Sequence, residues 1–310
     1  MDNLLRGQVE TRLQTLRPGA SIQTVRRLSG GCIHQAYRLQ LQDGFEVFLK
    51  ANPQAPPDMF AAEWTGLEAL ANTQTLRIPQ PLAVDPQGRF LLLEYLPPGD
   101  RPRDFFEIFG RRFAAMHRSS QRTPAGFSQD NYIGSTRQIN TPGDDWIAFW
   151  REHRLGYQLK LARQNGFDGA LQKLGEKLRE RLADWLGPAA EPCCLLHGDL
   201  WSGNFLDAGG QPALIDPATY YGHREADLAM TRMFGGFAEG FYRAYQEAWP
   251  LSDGAEERLQ LYQLYHWLNH LNLFGGGYLE NCLAILRRFV GTRYDGRFPF
   301  RPSFPRSSSS

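Results

Sequence analysis

One constellation constrains this chain more than any other segment. It reads His197-Gly198-Asp199-Leu200-Trp201-Ser202-Gly203-Asn204, followed twelve residues after Asn204 by Asp216 within Leu214-Ile215-Asp216-Pro217. Short apolar runs, 193–196 and 212–215, precede the two halves, so each half lies where a buried strand ends. There Asp199, Asn204 and Asp216 can converge. Taken singly, Asp and Asn in such loops are turn formers. Taken together, they are the groups that phosphoryl transfer requires. One carboxylate orients an attacking hydroxyl and receives its proton, and hard oxygen donors hold Mg²⁺ against phosphates. The kinase order is an Asp, four residues, a metal-binding Asn, then a second metal-binding Asp. Asp199, Asn204 and Asp216 satisfy it, spacing included.

The nucleotide half of such a site belongs upstream. Val47-Phe48-Leu49-Lys50 closes an apolar strand on a lysine. Thirteen residues on, Glu63 lies in a helix expected over 59–71, where Phe60, Trp64, Leu67 and Leu70 recur at helical spacing. A Lys–Glu pair of this kind aims the lysine at the α- and β-phosphates. Glu68 competes for the role, but Glu63 is nearer the helix start. As isolated side chains the two are ordinary surface residues. Ser29-Gly30-Gly31-Cys32-Ile33 occupies the place of a phosphate loop. It lacks GxGxxG, yet Gly30 and Gly31 let backbone N–H groups approach phosphate oxygens around Cys32. Glu94-Tyr95-Leu96 ends the last strand of this region, where backbone groups would bond an adenine ring.

Around these motifs the pattern changes once. Strands at 21–28, 36–41 and 45–50, the helix at 59–71 and a strand at 89–96 fill the first hundred residues. Asp43-Gly44 marks a hairpin turn, and Pro79 and Pro81 end the helical region. From Phe105 on, apolar residues recur at helical spacing over 105–119, 146–164, 170–186 and 252–290. The expectation is an α+β bilobal fold. It comprises a nucleotide-binding lobe (1–96), a connector (97–104), a helical catalytic and acceptor-binding lobe (105–296) and a Pro-, Arg- and Ser-rich flexible tail (297–310). Ligands then bind at the lobe interface.

Composition narrows the partners. Lys and Arg number 34 against 33 Asp and Glu, so there is no global electrostatic case for nucleic acid or an anionic membrane. The most apolar stretch, 90–96, is short and contains Glu94, whereas a membrane span needs roughly 20 apolar residues. The first residues are charged where a secretory signal is apolar. Four cysteines, two of them adjacent, frame neither disulfides nor a zinc site. A cytoplasmic, reduced protein follows, a monomer or weak homodimer.

At these residues the sequence resembles the fructosamine/ketosamine-3-kinase family. That family is a branch of the protein-kinase-like phosphotransferases that include aminoglycoside and choline kinases. The matching segments are GGCIHQAY (30–37), FLK (48–50), MFAAEWTGL (59–67), LLLEYLPPG (91–99), FGRRFAAMH (109–117), DNYIGSTRQ (130–138), HGDLWSGN (197–204), IDPATYYGHREADLAM (215–230) and LYQLYHWLNHLNLFGGGY (261–278). His-Gly-Asp marks the wider group; Trp201 and the segment from Asp216 to Met230 are particular to the ketosamine kinases. The resemblance implies a protein-kinase-like fold with ATP and Mg²⁺ as cofactors. It implies phosphorylation of the sugar 3-hydroxyl of ketosamines, fructosamine or ribulosamine adducts of amines or protein lysines. The phosphorylated adduct then breaks down and frees the amine, a deglycation. By motif position Asp199 is the base, Asn204 and Asp216 hold Mg²⁺, and Lys50 with Glu63 positions the nucleotide. Gly198 stands where protein kinases have Arg, and Asp216-Pro217-Ala218 replaces Asp-Phe-Gly with no long activation segment after it. Both argue for a constitutively assembled small-molecule kinase.

The acceptor side is less determined. Trp201 either covers a sugar ring or packs under the catalytic loop. His223 and Trp267 are further substrate candidates, with core packing the alternative for Trp267; Asn269 to Gly277 can wall the acceptor site. His197 and Asp227 support the catalytic loop, while His34 and His117 read as structural. Cys32, a thiol in a glycine loop, suggests reversible oxidation and a disulfide between subunits. Two other readings keep or drop the chemistry. An aminoglycoside kinase wants an acid-rich acceptor site, which the helical lobe does not show; a choline kinase wants an aromatic cage, which Trp146, Trp150, Trp201 and Trp267 could supply. A pseudokinase would ordinarily lack one of Lys50, Asp199, Asn204 and Asp216.

Overall fold

The computed structural model describes residues 1–28, 34–189 and 191–291. Gly30, Gly31, Cys32 and the tail 297–310 lie outside the described residues. The chain opens with a helix absent from the sequence expectation, α1 (Asn3–Leu16). Its signals are short: Asp2 accepts the Leu5 N–H at 2.8 Å. Leu5, Val9 and Leu13, one every fourth residue, form its buried stripe. Next come β1 (Ile22–Leu28), β2 (Gln35–Leu41), β3 (Glu46–Ala51), α2 (Met59–Ala71), β4 (Pro81–Val84) and β5 (Phe90–Glu94). The strands form one antiparallel sheet in the order β1-β2-β3-β5-β4. Pro81 therefore opens a strand instead of ending structure. It does so on the sheet edge, where a missing N–H leaves no ladder bond unmade.

The alternation of strand side chains sorts the two faces of this sheet. Val47, Leu49 and Ala51 of β3 and Phe90 and Leu92 of β5 join α1 in one small core. Leu91 and Leu93 face the other way and join Phe60, Leu67 and Leu70 of α2 in the main core. The same period of two turns Lys50 away from its neighbours Leu49 and Ala51, toward α2.

Beyond residue 104 the chain is mostly helical, with α3 (Phe105–Ser119) followed by a hairpin of β6 (Asn131–Ile133) and β7 (Thr136–Gln138). α4 (Trp146–Phe149) runs through a π-helical stretch, Trp150–Gly156, into α5 (Tyr157–Gln164). Then follow α6 (Ala170–Leu186), β8 (Cys194–Leu196), β9 (Phe205–Ala208), β10 (Gln211–Leu214), β11 (Tyr220–Gly222), α7 (Arg224–Thr231), α8 (Glu239–Ala248), α9 (Ala255–Phe274) and α10 (Leu279–Gly291). The α+β bilobal expectation holds. The helix expected over 252–290 is two helices, because Gly275 at φ 92 ends α9 and a 3₁₀ turn, Gly276–Tyr278, leads into α10. β8 pairs with β11 and β9 with β10, so the apolar runs before Asp199 and Asp216 lie in separate ribbons. Cys193, Cys194 and Cys282 are buried free thiols. Among the described residues no helix is long and apolar enough to cross a membrane.

Candidate active site

A cleft of about 560 Å³ brings the upstream and downstream motifs together. Lys50, Glu63, Asp199, Asn204 and Asp216 all line it, with Trp201 beside them. Lys50 is 6% exposed. Its ammonium donates to Glu63 Oε2 at 2.8 Å and to Asp216 Oδ1 at 3.0 Å. Glu63, not Glu68, is therefore the partner on α2. Burial alone would lower the lysine pKa; the Asp216 and Glu63 carboxylates outweigh it and hold the ammonium above its usual value.

Asp216 and Asp199 are pushed apart by their surroundings. Burial works against an anionic Asp216, but Lys50 outweighs it and keeps the carboxyl below the usual range. For Asp199, burial and then repulsion from Asp216 push the carboxyl well above that range. Two carboxyls set apart in this way suit two roles: one that takes a proton and one that stays anionic beside a cation. Asn204 closes its own loop onto Asp199. Its amide nitrogen donates to the Asp199 carbonyl at 2.8 Å and to Asp199 Oδ2 at 3.2 Å. That leaves the Asn204 amide oxygen and the outer oxygen of Asp216 as hard donors on the cleft side. Among the described residues no three His, Cys, Asp or Glu side chains form a closed metal cage. One carboxylate and one amide oxygen instead match Mg²⁺, which takes few protein ligands and shares phosphates and water.

The loop carrying Asp199 is pinned from below. Asp227, in the first turn of α7 and 1% exposed, accepts the His197 and Gly198 N–H groups, each at 2.7 Å. His117 of α3 reaches the same carboxylate through Nε2 at 3.2 Å and Tyr245 of α8 through Nδ1 at 2.9 Å. His197 accepts the Asp199 N–H at Nδ1, so its Nε2–H donates to the Ile215 carbonyl at 2.9 Å. The segments of Asp199 and Asp216 are thus joined through one imidazole. Burial lowers the pKa of His117 and of His197, which keeps both neutral. Gly198 has a local reason of its own. It stands at φ 83, and a Cβ there would lie 2.1 Å from the Ala218 carbonyl oxygen.

The β6–β7 hairpin, which the sequence expectation left out, closes one side of the cleft and clasps α2. Tyr132 and Gly134 line the cleft. The Tyr132 hydroxyl donates to Asp58 Oδ1 at 2.6 Å, and Arg137 reaches Asp58 Oδ2 at 3.4 Å. Asp58 directly precedes α2. Two residues past Glu63, Thr65 Oγ1 accepts from Gln129, which lies just before the hairpin, at 3.1 Å. The hairpin is anchored in turn from beneath. Asn131 donates to the Thr219 carbonyl at 2.8 Å, and Gln138 donates to the Ala218 carbonyl at 3.0 Å. Arg154, fully buried in the π-helical stretch, donates to the Ile139 carbonyl and to Asn140 Oδ1.

Other expected site residues fall elsewhere. His223 is not at the cleft: it is buried, stacked on Trp146 at 4.8 Å, with burial lowering its pKa to about 4. As the cap residue of α7 it turns inward against α4. Trp267 backs the cleft without lining it; its ring lies 5.4 Å from Phe234, which does line it. Trp146 and Trp150 are core residues, so the four-tryptophan cage does not assemble. Glu94, Tyr95 and Leu96 also stay out of the cleft lining. Glu94 pairs with Arg77, Arg38 covers the Tyr95 ring at 4.6 Å, and Leu96 is buried. The Glu94 N–H bonds the Gln80 carbonyl. Among the lining residues that escaped the sequence reading as site residues are His34, Tyr132 and Phe234. His34 lies near enough to Lys50 and Asp216 to feel both charges; burial and Lys50 lower its pKa to about 4.

The fructosamine kinase family model matches residues 7–291. The chain belongs to that family. A chloroplastic protein-ribulosamine 3-kinase of Arabidopsis thaliana is 43% identical over 268 residues, covering 85% of this chain and 81% of the relative. A Synechocystis protein named as a probable ketoamine kinase is 43% identical over 282 residues, covering 89% and 93%. Among solved structures, a Thermobifida fusca chain provisionally assigned as a fructosamine-3-kinase superposes with a TM-score of 0.83 at 34% identity, covering 92% of this chain and 99% of that one. An aminoglycoside phosphotransferase superposes with a TM-score of 0.63 at 16% identity, a likeness of fold alone. Within the fructosamine kinase fold, the residues described above occupy the interface of the sheet and the helical lobe.

Proposed function

We propose that this fructosamine kinase transfers the γ-phosphoryl group of ATP to the sugar 3-hydroxyl of ketosamines, the first step of a deglycation repair. The observation that carries the reading is the convergence of the Lys50–Glu63–Asp216 chain and the Asp199–Asn204 pair in one cleft. In this reading Asp199 orients the hydroxyl and accepts its proton as the oxygen bonds phosphorus and ADP departs. Asn204 fixes the carboxylate of Asp199 through its amide N–H. Lys50, steered by Glu63, places positive charge on the phosphates. The Asn204 amide oxygen and Asp216 hold Mg²⁺, which supplies the charge that neutralises the triphosphate. Tyr95 and Leu96, just after β5 and outside the cleft lining, would meet the base through backbone groups alone.

The test is ADP release with Mg-ATP against fructosyl- and ribulosyl-lysine, kanamycin, choline and no acceptor. Ketosamine-dependent turnover that disappears in Asp199→Asn, with nucleotide binding retained, is expected. Turnover with kanamycin or choline alone would discard the substrate class. The reading also includes a cytosolic protein, monomeric or weakly dimeric, in which peroxide links two Cys32 thiols as a disulfide. Size-exclusion chromatography of wild type and Cys32→Ser, with peroxide and then dithiothreitol, checks it; identical profiles throughout would end that part.

A further inference from the structure

The mouth of the cleft is built differently from its charged interior. Among the described residues three non-glycine residues stand at positive φ: Gln74, Asp216 and Phe234. The last two line the cleft. For a bulky ring the left-handed conformation is strained, and such strain persists only where the surroundings enforce it. Phe234, at φ 54 in the turn after α7, is also 38% exposed. The ring lies 6.0 Å from Trp201 and 4.8 Å from His270, centroid to centroid. Phe274, 51% exposed, sits one turn along α9 from His270, at 5.5 Å. Tyr278 comes back to the same spot from the 3₁₀ turn, 5.3 Å from His270. Gly203 makes room for the Trp201 ring, since a Cβ there would lie 2.4 Å from it. Strain and exposure are both unfavourable for a phenylalanine that only packs.

The charge distribution says what such a mouth can take. The carboxylates lining the cleft are Glu63 and Asp216, both paired with Lys50, and Asp199, which is bonded to Asn204. The mouth offers ring faces and the His270 imidazole, with no charge to pair. A ketosamine has two unlike halves, a polyhydroxyl sugar and the substituent of its nitrogen. With the 3-hydroxyl at Asp199, the substituent points outward past Trp201. We infer that Trp201, Phe234, His270, Phe274 and Tyr278 form the subsite for the amine half of the acceptor. The rings receive an apolar stem, and the secondary ammonium beside it lies over a ring face. An acceptor with an unbranched alkyl stem of several methylenes is therefore preferred over one with a short or anionic substituent. This inference rests on the ketosamine reading of the inner site.

The experiment uses one sugar on methylamine, butylamine, hexylamine and β-alanine, with the full-length protein and saturating Mg-ATP. A fully buried methylene changes affinity about fourfold, so a half-exposed lip gives about twofold or less per methylene. Acceptor KM should fall about tenfold from the methylamine to the hexylamine adduct, and the β-alanine adduct should be the poorest of the four. In Phe234→Gly and in Phe274→Ala the dependence on stem length should flatten, while KM for ATP stays put, a split that a general folding defect would not give. Glycine adopts φ 54 without strain, so the first variant keeps the backbone. Turnover of every adduct with a flat KM in wild type, or a dependence that survives in the double variant, would overturn the subsite alone. Turnover of none of the four would overturn the ketosamine reading and this inference with it.

Discussion

At the inner end of the cleft each polar group answers to another. Lys50 is held by Glu63 and Asp216, Asn204 by Asp199, and the loop beneath them by Asp227. At the mouth, rings touch mostly other rings, and Phe234 and Phe274 remain exposed. The contrast follows from the tasks. Phosphoryl transfer fails when reacting atoms are displaced by about an ångström, so its groups sit in buried bonds that admit one geometry. Receiving a variable substituent asks only for a surface, and contacts between rings vary gently with position. The inner end should therefore break sharply under single changes and the mouth should yield gradually.

Four experiments sharpen that contrast. Asp199→Asn should lower kcat by about 10²- to 10⁴-fold while nucleotide affinity, read by titration calorimetry, changes no more than about threefold. A comparable loss of nucleotide binding would mean that Asp199 belongs to the nucleotide site. Next, Asp227→Ala strips the partner from two backbone N–H groups and from His117. Urea denaturation should show a loss of about 3–5 kcal/mol, because those groups stay buried and unpaired. An unchanged midpoint would show the catalytic loop to be held by other means.

The third test is pH. Burial lowers the pKa of His117, His197, His223 and His266, so the folded chain keeps them neutral. Below the ordinary value of 6.5 the unfolded chain binds protons that the folded chain refuses, and stability falls with pH. His223, moving from 6.5 to about 4, accounts for about 3 kcal/mol of that fall. Melting at pH 7.5, 6 and 4.5 should show the decline, and His223→Gln should soften it; a variant with the wild-type slope would assign the decline to the other histidines. The smallest effect belongs to the mouth. Phe234→Gly should leave the melting temperature within a few degrees of wild type, since relief of strain offsets lost ring contacts to within about 1 kcal/mol. A fall of more than about 3 kcal/mol would make Phe234 a core residue and the mouth a part of the fold.

The inner end was legible in the sequence because its parts lie in short motifs whose spacing is itself the signal. Lys50 and Glu63 read as a pair once the downstream motif pointed to a kinase site, and Asp199 and Asn204 share one loop. Asp227 was legible as a brace, though the His117 that meets it comes from 110 residues upstream and carried no local sign. What stayed hidden depends on tertiary geometry. Tyr132 meets Asp58 across 74 residues. His34 follows the glycine loop with nothing to say which way its ring turns. Phe234 sits in a glycine-containing turn, and its positive φ could not be foreseen for a residue that rarely adopts one. His223 misled for the opposite reason: a polar residue in a motif-rich segment proved to be packing material.

The clasp between the β6–β7 hairpin and α2 has a consequence for control. In kinases that are switched, the glutamate-bearing helix swings, and a modification elsewhere decides when the lysine finds its partner. Here Asp58 is tied to the hairpin and Thr65 to Gln129 just before it, one on either side of Glu63, and the hairpin is bonded to the backbone beside Asp216. These bonds favour the position in which Glu63 meets Lys50. A catalyst of this design needs no modification to bring Glu63 to Lys50, which suits an output that follows how much protein is present and how fast adducts accumulate. That is the operating logic of a maintenance enzyme, whose work arrives by slow chemical accident and not by signal.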